Sequence, residues 1–311
     1  MAELWHEERL LIDGQLVEAA GGATYPNIDP STEEILGMAA DASVADVERA
    51  IAAARHAFDT TAWSTDVALR QRCLRQLHQA MLDNFDAIAE LTIAEVGAPR
   101  MFMGGPQLMA PLDYLTYYAD MLDTFEWSYD LGVHSGMAGT AHRWVEKEPI
   151  GVVAAITPWN YPHQITFAKC APALAAGCTV VLKAAPDTPW SALALGRMIH
   201  DHTDIPPGVF NVITSSDKAI GEVLTTSPDV DMISFTGSTA TGRRIMEAAS
   251  ATIKKVFLEL GGKSAHIVLD DVADMAAATA SPCFMVCTHG GQGCATSTRL
   301  LLPRARYDEG V

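Results

Sequence analysis

From residue 150 onward the chain repeats short apolar runs, at 150–156, 179–183, 209–213, 230–235, 255–260 and 266–269. Helix-length stretches, about 163–176, 188–202, 217–226 and 239–251, separate most of them. No other feature constrains the fold as much. A strand that is apolar on both faces has no side to turn to water, so it must be covered twice. Strands that alternate with helices pair in parallel, because each helix carries the chain back to the starting end. The pattern specifies an α/β fold built on a doubly wound parallel sheet. Ligands of such sheets bind beyond the carboxyl ends of the strands, so the chemistry is sought in those loops.

The first part of the chain reads differently. A hairpin is expected over Leu10–Ile12 and Gln15–Val17, turning at Asp13-Gly14. Val44, Val47, Ile51, Ala54 and Phe58 recur at helical spacing, with Asp41 or Ser43 to cap the helix. Leu74, Leu77, Met81, Phe85, Ile88 and Leu91 make a second helical stripe that stops near Gly97 and Pro99. The segment 128–149 is Gly-rich and then charged, which fits a projecting hairpin or arm as well as a plain loop.

Charge and composition narrow the function classes. With 21 Lys+Arg against 38 Asp+Glu, the net charge is −17, and no surplus of cations exists to release counterions from a phosphate backbone. Nucleic acid is not an expected partner. A hydrophobic content of 49% supplies a large core and excludes disorder. The longest uncharged run, 150–168, is interrupted by Pro158, Asn160, Pro162, His163 and Gln164, so no membrane partner is expected. The first residues lack a signal peptide's basic start and apolar stretch, and the six cysteines follow no small-domain disulfide spacing. A reduced, cytoplasmic protein is the expectation.

Five segments carry candidate chemistry. Thr157-Pro158-Trp159-Asn160-Tyr161-Pro162 is a rigid loop presenting one amide, suited either to donating to an oxyanion or to bonding its own backbone. Lys183, at a strand end, suits a ribose hydroxyl or phosphate, or a snorkelling surface position. Thr236-Gly237-Ser238 leads from a strand into a helix whose free N–H groups suit a pyrophosphate; an ordinary helix cap has the same look. Arg243-Arg244 stands where a P-loop needs Lys-Ser/Thr, which disfavours an NTPase. Glu259, inside an apolar strand, is either a general base whose pKa is raised by burial or an ion-pair partner of Lys254 or Lys263. Cys294 is flanked by small residues in Gly291-Gln292-Gly293-Cys294-Ala295, and residue type alone leaves it open between nucleophile and core thiol. A zinc site of Cys283, Cys287, His289 and Cys294 is disfavoured, because the set lacks a CxxC knuckle; no metal is expected.

In this order, and over essentially the whole chain, these segments resemble the aldehyde dehydrogenase superfamily. The most specific are Leu258-Glu259-Leu260-Gly261-Gly262-Lys263 and Gly291-Gln292-Gly293-Cys294, with Glu259 and Cys294 35 residues apart. The resemblance implies an oxidoreductase that turns a small-molecule aldehyde into a carboxylic acid with NAD or NADP. Cys294 would attack the aldehyde, Asn160 and the Cys294 N–H would hold the oxyanion, and Glu259 would activate the water that hydrolyses the thioester. Lys183 would meet the adenosine ribose and Thr236, Gly237 and Ser238 the pyrophosphate, with Thr157, Pro158, Trp159 and Gly261 also along the cofactor. It implies a dinucleotide-binding domain over 1–127 and 150–260, an oligomerisation arm over 128–149, and the start of a second, catalytic α/β domain over 261–311.

Departures from the family pattern carry expectations of their own. Pro186 stands where many NAD-preferring relatives have a carboxylate, which leaves NAD and NADP both open. His289 replaces a common Asn, with only a local effect expected. The sequence ends soon after the nucleophile, whereas the family continues through most of its catalytic domain. A C-terminally truncated chain with a poorly held second domain is therefore expected. The homo-oligomer usual in the family would then lack the partner strand of its arm, leaving an aggregation-prone edge. Two alternatives accompany the dehydrogenase reading. One is a catalytically impaired dinucleotide-binding fragment of the same fold; the other is a Cys-dependent hydrolase that uses Cys294 and Glu259 without hydride transfer.

Overall fold

The computed structural model describes residues 7–311. Its chain opens with the expected hairpin, β1 (Leu10–Ile12) and β2 (Gln15–Val17), turned by Asp13 and Gly14 at positive φ. Two left-handed residues give a turn that follows the natural twist of the strands. A second hairpin, β3 (Thr24–Ile28) and β4 (Ile35–Ala40), has no counterpart in the sequence pattern. β3 does alternate, but its buried positions are Tyr25 and Asn27, so the apolar period is invisible.

α1 (Val44–Thr60) begins at Ser43 rather than Asp41. The Ser43 hydroxyl accepts from the Asp46 N–H while Asp46 accepts from the Ser43 N–H, satisfying two otherwise orphaned donors. The second stripe is two helices, α2 (Val67–Asp83) and α3 (Phe85–Val96), not one. Asn84 leaves helical geometry between them, and its side-chain amide donates to the Ala80 carbonyl at 2.8 Å. Gly97, at φ 68°, ends α3 in the left-handed conformation that costs glycine least. After α4 (Met109–Met121), β5 (Ser128–Gly136) and β6 (Gly139–Glu146) form the hairpin that the segment 128–149 left open. Its residues are almost all exposed, among them Leu131, Val133 and Trp144.

The large sheet is assembled from β7 (Val152–Ile156), β8 (Thr179–Lys183), β9 (Phe210–Ile213), β10 (Met232–Gly237) and β11 (Lys255–Leu260). These five are parallel, in the order β9-β8-β7-β10-β11, and β1 and β2 extend the β9 side in antiparallel fashion. The connecting helices are α5 (Pro162–Ala176), α6 (Pro189–His202), α7 (Ile220–Thr226) and α8 (Thr239–Ala249). α5 and α6 lie against β7, β8 and β9 and are backed by α2, α3 and α4; α1, α7 and α8 make the other layer. β8 and β9 are buried throughout, as covering on two sides requires. Each fully buried Val, Leu or Ile contributes about 1.5–3 kcal/mol relative to exposure.

A buried carboxylate ties these layers together. Glu95 of α3 accepts from the Trp190 N–H at 2.5 Å, from the Ser191 N–H at 2.9 Å and hydroxyl at 2.5 Å, and from the Asn27 amide at 3.1 Å. It caps the start of α6, which takes no cap from its own preceding side chain.

The sixth apolar run does not join the large sheet. β12 (Ala265–Ile267) pairs in parallel with β13 (Arg299–Leu301), α9 (Met275–Cys287) forms the crossover, and α10 (Tyr307–Gly310) follows. β11 therefore remains the sheet edge, with Lys255, Phe257 and Glu259 exposed. Among the described residues, no helix is long and apolar enough to cross a membrane.

Candidate active site

From β7 the chain winds outward through β8 and β9, then crosses back to β10 on the opposite side of β7. The β7–β10 boundary is thus a topological switch point, where the loops leaving the two strands part and open a crevice. A cavity of about 860 Å³ lies at the carboxyl ends of these strands. Its walls include Thr157, Pro158 and Trp159 after β7, Lys183 at the end of β8, and Thr236, Gly237 and Ser238 where β10 turns into α8. Seven of the eight cofactor candidates therefore converge on one cavity. The exception is Gly261, which follows β11 and is not among its walls. A glycine there has no other atom within 4 Å of where a side chain would begin.

Local chemistry explains the shape. Ser238 caps α8, its hydroxyl accepting from the Thr241 N–H at 3.2 Å, which aims the helix N-terminus at the cavity. A β-carbon on Gly237 would run into the Phe235 ring, so any larger residue there has to displace that ring. Thr236 keeps its buried hydroxyl without a partner at this wall. Lys183 is only 5% exposed and donates to the Ala184 carbonyl at 3.3 Å. Burial, reinforced by the like charge of Lys218, lowers its pKa from 10.5 to about 8. Glu222 and Arg244 pair across α7 and α8 at the same cavity.

Cys294 lies in the segment between α9 and β13 and is exposed. His289, Gly290 and Gly291 are all at positive φ, a run of left-handed residues that bends this segment back toward the loop after β7. There the Asn160 side-chain amide donates to the Gln292 carbonyl at 2.5 Å, two residues before the cysteine. The structure thus brings Asn160 and the Cys294 loop together across more than 130 residues of chain. Tyr161 joins them: its hydroxyl lies 3.8 Å from where a β-carbon on Gly293 would be. Burial first, and the neighbouring Cys294 second, raise the Tyr161 phenol above its ordinary pKa.

Glu259 departs from the sequence reading in one respect. It is exposed rather than buried, because its side of the edge strand β11 is uncovered. Sequence reasoning also missed Lys169, on α5, which is 6% exposed and donates to the Ser234 hydroxyl at 3.2 Å. Burial lowers its pKa to about 8, against the opposing influences of Cys170 and then Glu259. The available signal was a lysine in the buried stripe of α5 beside Thr166 and Cys170. Gln107, fully buried before α4, carried no sequence signal at all. Cys283 and Cys287 are exposed, and among the described residues no group of three or more His, Cys, Asp or Glu is placed to hold a metal ion.

Known proteins share this fold. The chain is 40% identical to 3-succinoylsemialdehyde-pyridine dehydrogenase from a Pseudomonas species, over 96% of this chain and 60% of that protein. It is 36% identical to aminoacetaldehyde dehydrogenase of Pseudomonas aeruginosa, over 95% and 59%. The crystal structure of an aldehyde dehydrogenase C mutant from Pseudomonas syringae, in complex with NAD+ and octanal, superposes with a TM-score of 0.90 at 36% identity, covering 98% of this chain and 60% of that one. A structure of an E. coli NADP dependent enzyme gives 0.91 at 35% identity, over 99% and 63%. The chain spans about 60% of the length of the curated relatives it matches. The model of the aldehyde dehydrogenase family matches residues 16–311, and on that match, the identities and the shared fold, the chain belongs to this family.

Proposed function

We propose that this chain oxidises an aldehyde to a carboxylic acid with NAD(P)+, through a thioester on Cys294. The observation that carries the reading is the bond from the Asn160 amide to the Gln292 carbonyl, which sets an amide donor beside the nucleophile segment. The Cys294 thiolate adds to the carbonyl carbon, and the oxygen takes the negative charge. The second N–H of the Asn160 amide and the Cys294 backbone N–H hold that oxyanion; one such donor is worth about 10²–10³ in rate. Glu259 takes a proton from the water that hydrolyses the thioester, releasing the acid and the free thiol.

The cavity at the switch point fits a dinucleotide. A helix N-terminus and an unpartnered buried hydroxyl at Thr236 are parts that suit a pyrophosphate. Lys183 would hold the adenosine ribose, with Trp159 and Pro158 along the nicotinamide side. When bound, the nicotinamide supplies the acceptor for the hydride that leaves the thiohemiacetal carbon. NAD and NADP are both proposed as cofactors: Pro186 itself brings no carboxylate, while Asp187 and Glu222 line the same cavity.

The same proposal assigns 1–127 and 150–260 to dinucleotide binding, 128–149 to an assembly arm, and 261–311 to the start of the catalytic domain. The exposed Leu131, Val133 and Trp144 of β5 and β6 support a homo-oligomer built on that arm. Six free cysteines support a reducing, cytoplasmic setting.

The test follows reduced nicotinamide in the purified 311-residue chain and in Cys294→Ala with a panel of aldehydes. Reduced cofactor that requires both aldehyde and Cys294 is the expected result. Cofactor binding without turnover, in a folded sample, would replace the reading with a binding fragment; ester turnover that needs no cofactor would replace it with a hydrolase.

A further inference from the structure

The Asn160 loop is held from a second side by two residues with no role in the reaction as described. His289 is 2% exposed, and its Nε2 lies 2.8 Å from the Asn160 backbone carbonyl. The Gln107 side-chain amide nitrogen lies 2.9 Å from the same oxygen and 3.0 Å from His289 Nε2. A carbonyl oxygen has two lone pairs and accepts from both nitrogens, which assigns the proton of His289 to Nε2. The imidazole is clamped edge-on by Tyr161 at 4.8 Å and Phe102 at 6.3 Å between ring centroids. His289 in turn accepts, through its own carbonyl, from the Gln292 N–H at 3.1 Å.

The two bonds between the loops are reciprocal. The nucleophile segment donates to the Asn160 carbonyl through His289 and accepts from the Asn160 side chain through Gln292. Main chain and side chain of Asn160 are thus fixed against the same short segment. The arrangement is expensive. His289 is a non-glycine residue at φ 51°, and His289 Nδ1, Gln107 Oε1 and Gln292 Oε1 are buried without partners. An unpaired buried polar group costs about 1–3 kcal/mol.

We propose that His289, with Gln107 donating to the same Asn160 carbonyl, is a positioning residue that locks the Asn160 amide in register with Cys294. The proposal rests on the acyl chemistry proposed above. His289 acts through Asn160 and touches no reacting atom.

Two reactions of Cys294 separate this role from a general loosening of the loop. Alkylation by iodoacetamide needs the thiolate and no oxyanion donor, whereas acylation by p-nitrophenyl acetate needs both and requires no cofactor. Misplacing a catalytic group by about 1 Å costs about 10²-fold. The variants His289→Asn, His289→Gln and Gln107→Leu are compared in the full 311-residue chain with Cys294→Ala as the blank. Asn tolerates the left-handed backbone but is too short to reach the Asn160 carbonyl; Gln has the reach of the imidazole Nε2.

Acylation is expected to slow about ten- to a hundredfold in His289→Asn while alkylation stays within about twofold, and His289→Gln is expected to recover most of the loss. Gln107→Leu combined with His289→Asn should be no slower than His289→Asn alone, as for residues acting as one unit. Equal slowing of both reactions, or of neither, in a folded His289→Asn chain would overturn the proposal. Acylation that persists in Cys294→Ala would instead overturn the functional reading beneath it, and the proposal with it.

Discussion

Lys183 is a cation held in the protein interior without a bonded carboxylate. Its ammonium donates to the Ala184 carbonyl, and Asp217 and Asp187 act on it only through their charge. The pKa falls from 10.5 to about 8, so at pH 7 the folded protein carries a charge it would hold more easily unfolded. At about 1.4 kcal/mol per tenfold, that fall corresponds to about 3 kcal/mol. The perturbation is Lys183→Met, which keeps an unbranched side chain one atom shorter and removes the charge. Losing the bond to the Ala184 carbonyl returns about 1 kcal/mol, leaving a net gain in stability of about 2 kcal/mol at pH 7.

The sign follows from proton binding. Between pH 8 and 10.5 the unfolded state binds more protons at Lys183 than the folded state, so wild-type stability rises through that window. The advantage of Lys183→Met must therefore shrink from pH 8 upward. On the ribose contact proposed for Lys183, function moves the other way: losing a hydrogen bond from a charged donor costs about 1.5–3 kcal/mol, which would weaken cofactor binding about ten- to a hundredfold. Urea unfolding at neutral and alkaline pH gives the first quantity, and calorimetric titration with NAD+ and NADP+ the second. A variant less stable than wild type at pH 7, or one that binds both cofactors as tightly as wild type, would refute the reasoning.

Two further outcomes concern the scaffold. His163 is buried, donates from Nε2 to the Thr92 hydroxyl at 2.9 Å, and has its pKa lowered by burial from 6.5 to about 4. Its contribution is complete above pH 6.5 and lost as pH falls through 4, about 3 kcal/mol in all, so His163→Gln should flatten the acid limb of the unfolding midpoint measured against pH. At the start of β7, Gly151 has φ 123° and leaves 1.9 Å between a would-be β-carbon and Asp231 Oδ2, the acceptor of the Val152 N–H and of Arg55. Gly151→Ala should cost about 3 kcal/mol or more, read as a lowered denaturation midpoint; a change below about 0.5 kcal/mol would show that Asp231 moves aside freely.

What the sequence conveyed was whatever each segment expresses within itself. Thr179–Lys183 is apolar at every position but its ends, so it announced a buried parallel strand without reference to any neighbour. Asp13-Gly14, Ser43 and Gly97 are turn and cap residues whose conformations are set over three or four positions, and all three are where they were expected. Cys294, Glu259 and Asn160 were singled out because their flanking residues resemble family motifs. The same locality explains the misses. Asn84 divides a continuous apolar stripe by bonding its own backbone, which no period of apolar residues reveals. β3 pairs with β4 and turns Asn27 inward to Glu95, sixty-eight residues away, and a polar residue at an inward position hides the alternation.

Only the tertiary structure decided which loops meet. The order β9-β8-β7-β10-β11 sets the crevice at β7 and β10 and so gathers Trp159, Lys183 and Ser238 at one cavity, leaving Gly261 outside. It also makes β11 an edge and exposes Glu259, and it pairs β12 with β13 rather than with the large sheet. Lys169, Gln107 and His289 acquire partners only when chain segments far apart in sequence are packed together. A pattern along the chain records which face of an element must be buried. It does not record what is on the other side, because that partner is chosen by three-dimensional packing.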